Sequence, residues 1–230
     1  MAETTQQSPL LEMSELFAGL PSSVWTDILS TARHRDYMCR QVMFLVGDPI
    51  TETLLLTDGR AKLTQLGESG TEVILRLIAP GDVIGELGLA PGSRHSSTAQ
   101  ALQDCKVLVW GAATFEATLE RFPVLQRNAN RILVRQLDEL ERRFCETATE
   151  LASPRLAHAL VHLLDKVGHK VNSHVEINVS QEALAQMTVM TSYTVSRLLT
   201  NWESQGMLRV RREVIEIHSV LHLLGLCKVA

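Results

Sequence analysis

Nowhere among the 230 residues of this chain do about 18 apolar side chains follow one another, which excludes an ordinary membrane-spanning helix. The first residues, Met1-Ala2-Glu3-Thr4-Thr5-Gln6-Gln7, hold neither a basic cluster nor an apolar stretch, so no secretory signal is read there. A cytoplasmic protein without membrane contact is expected. Cysteine is sparse: Cys39, Cys105, Cys145 and Cys227 lie at least forty residues apart. No C-x-x-C pair exists, which removes the common zinc and iron–sulfur spacings and leaves reduced thiols and no metal site as the expectation. Aromatic residues make up only 4%, yet 45% of the chain is hydrophobic and 21% charged, a globular balance that excludes collagen, disorder and a basic chromatin tail.

The net charge of −4 is unevenly spread. Residues 1–150 hold 14 Lys and Arg against 20 Asp and Glu, whereas residues 151–230 hold 8 against 6. An acidic front and a mildly basic back point to separate partners. From Tyr37 to Trp110, short β-rich runs alternate with the turn signals Gly47-Asp48-Pro49, Asp58-Gly59, Gly67 to Gly70, Pro80-Gly81 and Pro91-Gly92. This spacing predicts a small antiparallel barrel or sandwich. Asp58-Gly59, between Thr53–Thr57 and Arg60–Thr64, reads as a tight hairpin because both residues tolerate positive φ. An apolar helical entry, Leu10 to Ser30, precedes the block and breaks at Gly19-Leu20-Pro21.

After Pro123 a helical pattern runs without Gly or Pro to Ser153, roughly 45 Å at 1.5 Å per residue. Leu133, Leu137, Leu140, Phe144, Thr147 and Leu151 follow one another in steps of four and three, forming one seam. That seam packs either on the chain's own barrel or on a second copy; a homodimer is expected. Ser153-Pro154 reads as the cap and first residue of a helix 154–167, ended by Gly168, with Ala152-Ser153-Pro154 as the hinge.

Residues 179–217 carry the recognition signal. Ser180 and Thr191 are positioned to cap two short helices, and Gly206 to end the second in the left-handed conformation. On the second helix Val195, Leu198, Leu199 and Trp202 recur at helical spacing and turn inward, leaving Ser192, Tyr193, Ser196, Arg197 and Thr200 outside. Short hydroxyls and one arginine suit the major groove, where Arg197 could bond guanine O6 and N7. Leu208 to Ile217 alternates apolar residues with Arg209, Arg211 and Arg212 around a turn, as a phosphate-touching wing would.

Pro80-Gly81-Asp82-Val83-Ile84-Gly85-Glu86-Leu87-Gly88-Leu89 and Thr194-Val195-Ser196-Arg197-Leu198-Leu199, in this order, resemble the cyclic-AMP receptor protein/fumarate–nitrate regulator (CRP/FNR) superfamily of bacterial transcription factors. The resemblance covers nearly the whole chain. It implies an α+β protein: a jelly-roll (double-stranded β-helix) sensor over 1–122, a dimerisation helix over 123–152 and a winged helix-turn-helix over 153–230. It further implies double-stranded DNA, a second copy and RNA polymerase as partners. The DNA contacts it implies, together with the reading of the recognition segment, are Ser180, Gln181, Ser192, Tyr193, Thr194, Ser196, Arg197, Thr200 and Arg211. Leu133, Leu137, Leu140, Phe144 and Leu151 form the implied dimer interface.

Departures from the family pattern are equally legible. Tyr193 stands where members usually have a glutamate, and Val189 where the turn commonly has glycine, so an altered half-site and a rebuilt turn are expected. The implied effector pocket comprises Gly85, Glu86, Leu87, Arg94, His95, Ser96, Leu140 and Glu141. His95 occupies the phosphate-binding arginine's slot, with Arg94 one residue early. Leu140 and Glu141 replace the hydroxyl pair that contacts adenine. Cyclic-nucleotide binding is therefore disfavoured, an iron–sulfur cluster more so, and haem on His95 stays open beside His95 as a hydrogen-bonding surface residue. A thiol switch at Cys39, Cys105 or Cys145 has no basic cluster to support it. The effector is left unassigned; a cyclic-nucleotide-dependent regulator and a module acting on a protein partner are the alternatives.

An enzyme is not expected. His158 and His162 have zinc-ligand spacing, but Ala159 stands where a hydrolase needs glutamate, and His218 and His222 repeat the spacing without a carboxylate partner in sequence.

Overall fold

The computed structural model describes residues 14–68, 70–87, 93–171 and 174–227. The first part of the predicted helical entry, the Pro91-Gly92 turn, and Gly88 and Leu89 of the roll motif lie outside these. The chain forms two compact units, residues 1–70 with 75–139 and residues 71–74 with 140–230. Within the first, a single 3₁₀ turn, Glu15–Phe17, precedes helix α1, Ser22–Ser30. Strands β1 (Arg33–Tyr37), β2 (Val42–Phe44), β3 (Glu52–Asp58), β4 (Ala61–Leu66), β5 (Glu72–Ile78), β6 (Val83–Ile84), β7 (Thr98–Ala101) and β8 (Cys105–Gly111) build two four-stranded sheets. Their orders are β1-β8-β3-β6 and β2-β7-β4-β5.

The period-2 alternation of β3 and β8 divides the apolar residues between two cores. Leu54, Leu56, Val107 and Val109 turn into the roll with Phe44, Leu63, Ile78 and Ile84. Leu55, Leu108 and Trp110 turn outward, where Leu16, Phe17, Ile28, Phe115, Leu119 and Leu125 cover them. Three hydrogen bonds from two side chains fasten that cover. The Trp110 indole N–H donates to the Ile28 carbonyl at 3.0 Å, and the buried Asn128 amide donates to the Leu16 and Ala18 carbonyls at 2.9 and 2.8 Å.

The predicted Asp58-Gly59 hairpin is not formed. β3 pairs with β8 and β6, while β4 pairs with β7 and β5, so the turn carries the chain from one sheet to the other. Gly59 is required there twice over: its φ is +89°, and a Cβ would sit 2.2 Å from the Asp104 carbonyl oxygen. Turn chemistry names the reversal but not the partner strand, which the two cores select.

Helix α2, Ala112–Arg121, leads to the long helix α3, Pro123–Thr149. The break comes earlier than the sequence suggests. Leu151 occupies the N-cap position of α4, Ala152–Val167, and no side chain caps it. Ser153 and Pro154 are thus inside the first turn rather than cap and first residue, and the break between the helices falls at Glu150-Leu151, ahead of the expected Ala152-Ser153-Pro154. Proline is tolerated because the first-turn N–H groups have no intrahelical acceptor.

In the second unit α4 buries Leu156, Ala157, Leu160, Leu163 and Val167. It packs on α5 (Gln181–Thr188), α6 (Ser192–Ser204), α7 (Val220–Leu226) and strand β10 (His174–Asn178). With β9 (His169–Val171), β11 (Leu208–Val210) and β12 (Val214–Ile217), β10 completes a sheet ordered β11-β12-β10-β9. The expected α+β architecture, roll followed by long helix and winged helix-turn-helix, is the one observed.

Candidate nucleic-acid interface and sensor pocket

The Ser180 hydroxyl accepts the Ala183 N–H at 3.0 Å, and the Thr191 hydroxyl accepts the Thr194 N–H at 3.1 Å. Each thereby satisfies a donor that a helix start leaves open. Between the two helices Val189 adopts φ 53° and ψ 48°, the left-handed conformation. The turn is therefore not rebuilt around the missing glycine; valine occupies the same strained geometry. It is held there because the Val189 and Met190 N–H groups both donate to the Ala185 carbonyl, closing α5, while Thr191 already caps α6.

On α6, Val195, Leu199 and Trp202 are buried, at most 1% exposed, which fixes the rotation of the helix. Ser192, Tyr193, Arg197 and Thr200 are exposed, and Thr194 and Ser196 half-buried. Leu198 is also half-buried instead of fully inward. Tyr193, Ser196, Arg197 and Thr200 line one shallow depression that continues to Asn201 and Ser204. The last two were missed in the sequence, although they continue the same face one turn on. Gln181 lies half-buried at the start of α5, and the Ser180 hydroxyl is engaged in its cap.

The Arg211 backbone N–H donates to the Val214 carbonyl at 2.8 Å, closing the turn. The turn places Arg211, Arg212 and Arg209 at the surface. Arg211 is nonetheless not a free phosphate ligand, because its Nε lies 2.5 Å from a carboxylate oxygen of Glu216. Glu203 accepts the Val210 N–H at 3.0 Å, tying the end of α6 to the wing.

In the roll, Gly85, with φ +90°, brings the chain so close to Phe44 that a Cβ would meet that ring at 2.9 Å. Glu86 is saturated by its neighbours: Oε1 accepts both the Ser96 N–H and hydroxyl at 2.7 Å, and Oε2 faces the His95 Nδ1 at 2.7 Å. Burial opposes ionisation of Glu86, but the two Ser96 bonds and His95 outweigh it and hold the carboxyl below its ordinary value. His95 is 6% exposed and stacked on Phe44, ring centroids 3.5 Å apart, so it is not the surface residue expected. One ring nitrogen and one ring face are occupied, which disfavours haem ligation. Arg94 is turned to the Gly47 carbonyl at 2.6 Å rather than to Glu86. Leu87 is buried in the core beneath the helices. Leu140 and Glu141 are exposed on α3.

The seam on α3 is bare. Leu133, Leu137, Leu140 and Phe144 are 41–72% exposed, and Leu151, just past the helix end, 79%. Two of the thiols move away from reactivity, since burial raises the pKa of Cys105 and Cys227 above its ordinary value. Two histidines do find carboxylates, against the sequence reading. His158 lies 3.0 Å from Glu150, and His218 lies 3.7 Å from Glu216.

Comparison with known proteins agrees with this architecture. Residues 34–122 match the cyclic nucleotide-binding domain model and residues 154–225 the Crp-like helix-turn-helix domain model. Both signatures, in this order on one chain, place it in the CRP/FNR superfamily of transcriptional regulators. Among its relatives is the cyclic AMP receptor protein of Thermus thermophilus, 27% identical over 204 residues, covering 89% of this chain and 92% of that protein. The global nitrogen regulator of Synechocystis is 25% identical over 229 residues, covering 95% and 96%. The structure of FixK2 from Bradyrhizobium japonicum superimposes with a TM-score of 0.76 over 86% of this chain and 98% of that one, at 21% identity. Regulators of this superfamily bind DNA and dimerise. No helix among the described residues is long and apolar enough to cross a membrane.

Proposed function

We propose that this chain acts as a cytoplasmic homodimer that binds a pseudo-palindromic DNA operator and adjusts transcription through RNA polymerase, without enzymatic activity. The observation that carries this reading is the exposed face of α6. Tyr193, Arg197 and Thr200 stand out on a helix fixed by Val195, Leu199 and Trp202 and flanked by an arginine-bearing wing. The bare seam of α3 supports pairing, which would present two recognition helices about 34 Å apart to successive major grooves. In this reading 1–122 senses, 123–152 pairs and 153–230 binds DNA. Ser180, Gln181, Ser192 and Arg211 contribute phosphate contacts, Arg211 only when parted from Glu216. Tyr193, Thr194, Ser196, Arg197 and Thr200 face the bases.

Enrichment of duplexes from a randomised pool by the purified protein tests the reading. A two-fold symmetric sequence is expected, and its preference should relax in Arg197→Ala; failure to enrich any sequence would overturn it. The match of residues 34–122 to a cyclic nucleotide-binding domain favours a second reading in which a cyclic nucleotide is the signal. Glu86, already filled by Ser96 and His95, opposes it, because a ribose hydroxyl would have to displace those bonds. Equilibrium dialysis with cyclic AMP separates the two, and no uptake is expected.

A further inference from the structure

The sequence His174-Val175-Glu176 on β10 and its reverse, Glu216-Ile217-His218 on β12, place four metal-type donors on one sheet face. The strands are antiparallel with Glu176 opposite Glu216 and Val175 opposite Ile217, which sets His174 beside His218. Ile177, Ile215 and Ile217 point into the core, at most 1% exposed, so the four donors share the other face. The His174 Nε2 lies 3.2 Å from Glu176 Oε1, and the His218 Nε2 lies 3.7 Å from Glu216 Oε2. One donor atom each from His174, Glu176 and Glu216 falls within 4.8 Å of the others. The two imidazole rings meet edge to face with centroids 5.8 Å apart.

Two carboxylates directly opposite on neighbouring strands repel each other. Glu216 is the more demanding, being 3% exposed, and its Oε1 receives no well-aligned hydrogen bond. What meets that oxygen is the charge of Arg211, with Nε at 2.5 Å on a side chain that is itself 60% exposed. This buried oxygen therefore already faces a cation, and the residue that supplies it is an exposed surface arginine. Mixed imidazole and carboxylate donors suit zinc, whereas calcium and magnesium take oxygen ligands. Zinc at about 2.0–2.2 Å from each donor requires the donors to stand about 3.4 Å from one another, so the His174, Glu176 and Glu216 atoms, now within 4.8 Å, and His218 beside them must draw together around the ion.

We propose that His174, Glu176, Glu216 and His218 form a binding site for one zinc ion on the wing sheet, which the ion enters by displacing Arg211 from Glu216. The site does not depend on the DNA-binding reading. The test is a zinc titration of the full chain, stripped with chelator, against a chromophoric competitor, with stoichiometry from elemental analysis. One zinc per chain is expected. Glu216→Gln and His174→Ala should each weaken binding by at least about tenfold, and Arg211→Ala, which removes the competing cation, should tighten it. Circular dichroism checks that the variants fold, and the near-isosteric Glu216→Gln guards against a trivial loss. Absence of zinc uptake overturns the proposal. So does unchanged affinity in both ligand variants, which would locate the ion elsewhere, for example at His158 and Glu150.

Discussion

Replacing Val189 with glycine and with alanine separates backbone strain from side-chain burial in the helix-turn-helix. Both changes delete the same valine methyls, which are half-exposed at 52%. Only glycine also relieves the left-handed conformation at φ 53°. That conformation costs an L-residue about 1–2 kcal/mol. The extra freedom of glycine in the unfolded chain returns about 0.4–1 kcal/mol. Val189→Gly should therefore exceed Val189→Ala in stability by roughly 1 kcal/mol, or about 4–8 °C in the melting of a unit of this size. Calorimetry of the full chain reads the transition, and amide exchange around the buried Leu184 and Leu199 reads the local free energy. Alanine equal to or better than glycine would refute the reasoning, because it would mean that the turn does not hold Val189 in the left-handed region.

Arg197→Ala should leave stability unchanged, since the side chain is exposed, and lower affinity for the selected operator by about 1–3 kcal/mol with loss of base preference at one position, measured by anisotropy. Arg212→Ala should weaken all duplexes alike and reduce the salt dependence of binding. Phe144→Glu, at a residue 72% exposed on α3, should convert a sedimenting dimer to monomer, because it removes an apolar contact worth about 1.5–3 kcal/mol and buries a charge. The lowered pKa of Glu86 means that its contribution to roll stability is complete above the ordinary carboxylate range and is lost as pH falls through the lowered folded value. Glu86→Gln should accordingly flatten the acid limb of a melting-temperature profile taken from about pH 7 down to about pH 3.

The parts of the fold that sequence reasoning reached are those governed by a local period or a local cap. The inward set Val195, Leu199 and Trp202 follows from helical spacing, and the caps by Ser180 and Thr191 from hydroxyls before an apolar run. The left-handed Gly206 follows from its place after the last inward residue. What sequence reasoning misjudged depends on partners distant in the chain. Asp58-Gly59 has the chemistry of a hairpin, yet the strands on either side are claimed by β8 and β7. Pro154 looked like a first helical residue, yet α4 begins at Ala152. Val189 looked incompatible with the family's turn, yet bonds to Ala185 hold it there.

The site shows the same division. Residue types and spacing were enough to place Tyr193, Arg197 and Thr200 on the exposed face of α6, because a helix displays its exposed side chains in fixed order. They could not reveal that His95 is buried against Phe44 and bonded to Glu86, or that Arg211 leans on Glu216. The sequence by itself determined the order of elements, the seam on α3 and the polar stripe with Arg197, since periodicity and capping act over a few residues. Only the tertiary structure decided which strands pair, which charged groups meet and which pocket residues are already satisfied, because those depend on segments that approach one another through cores built from the whole of each unit.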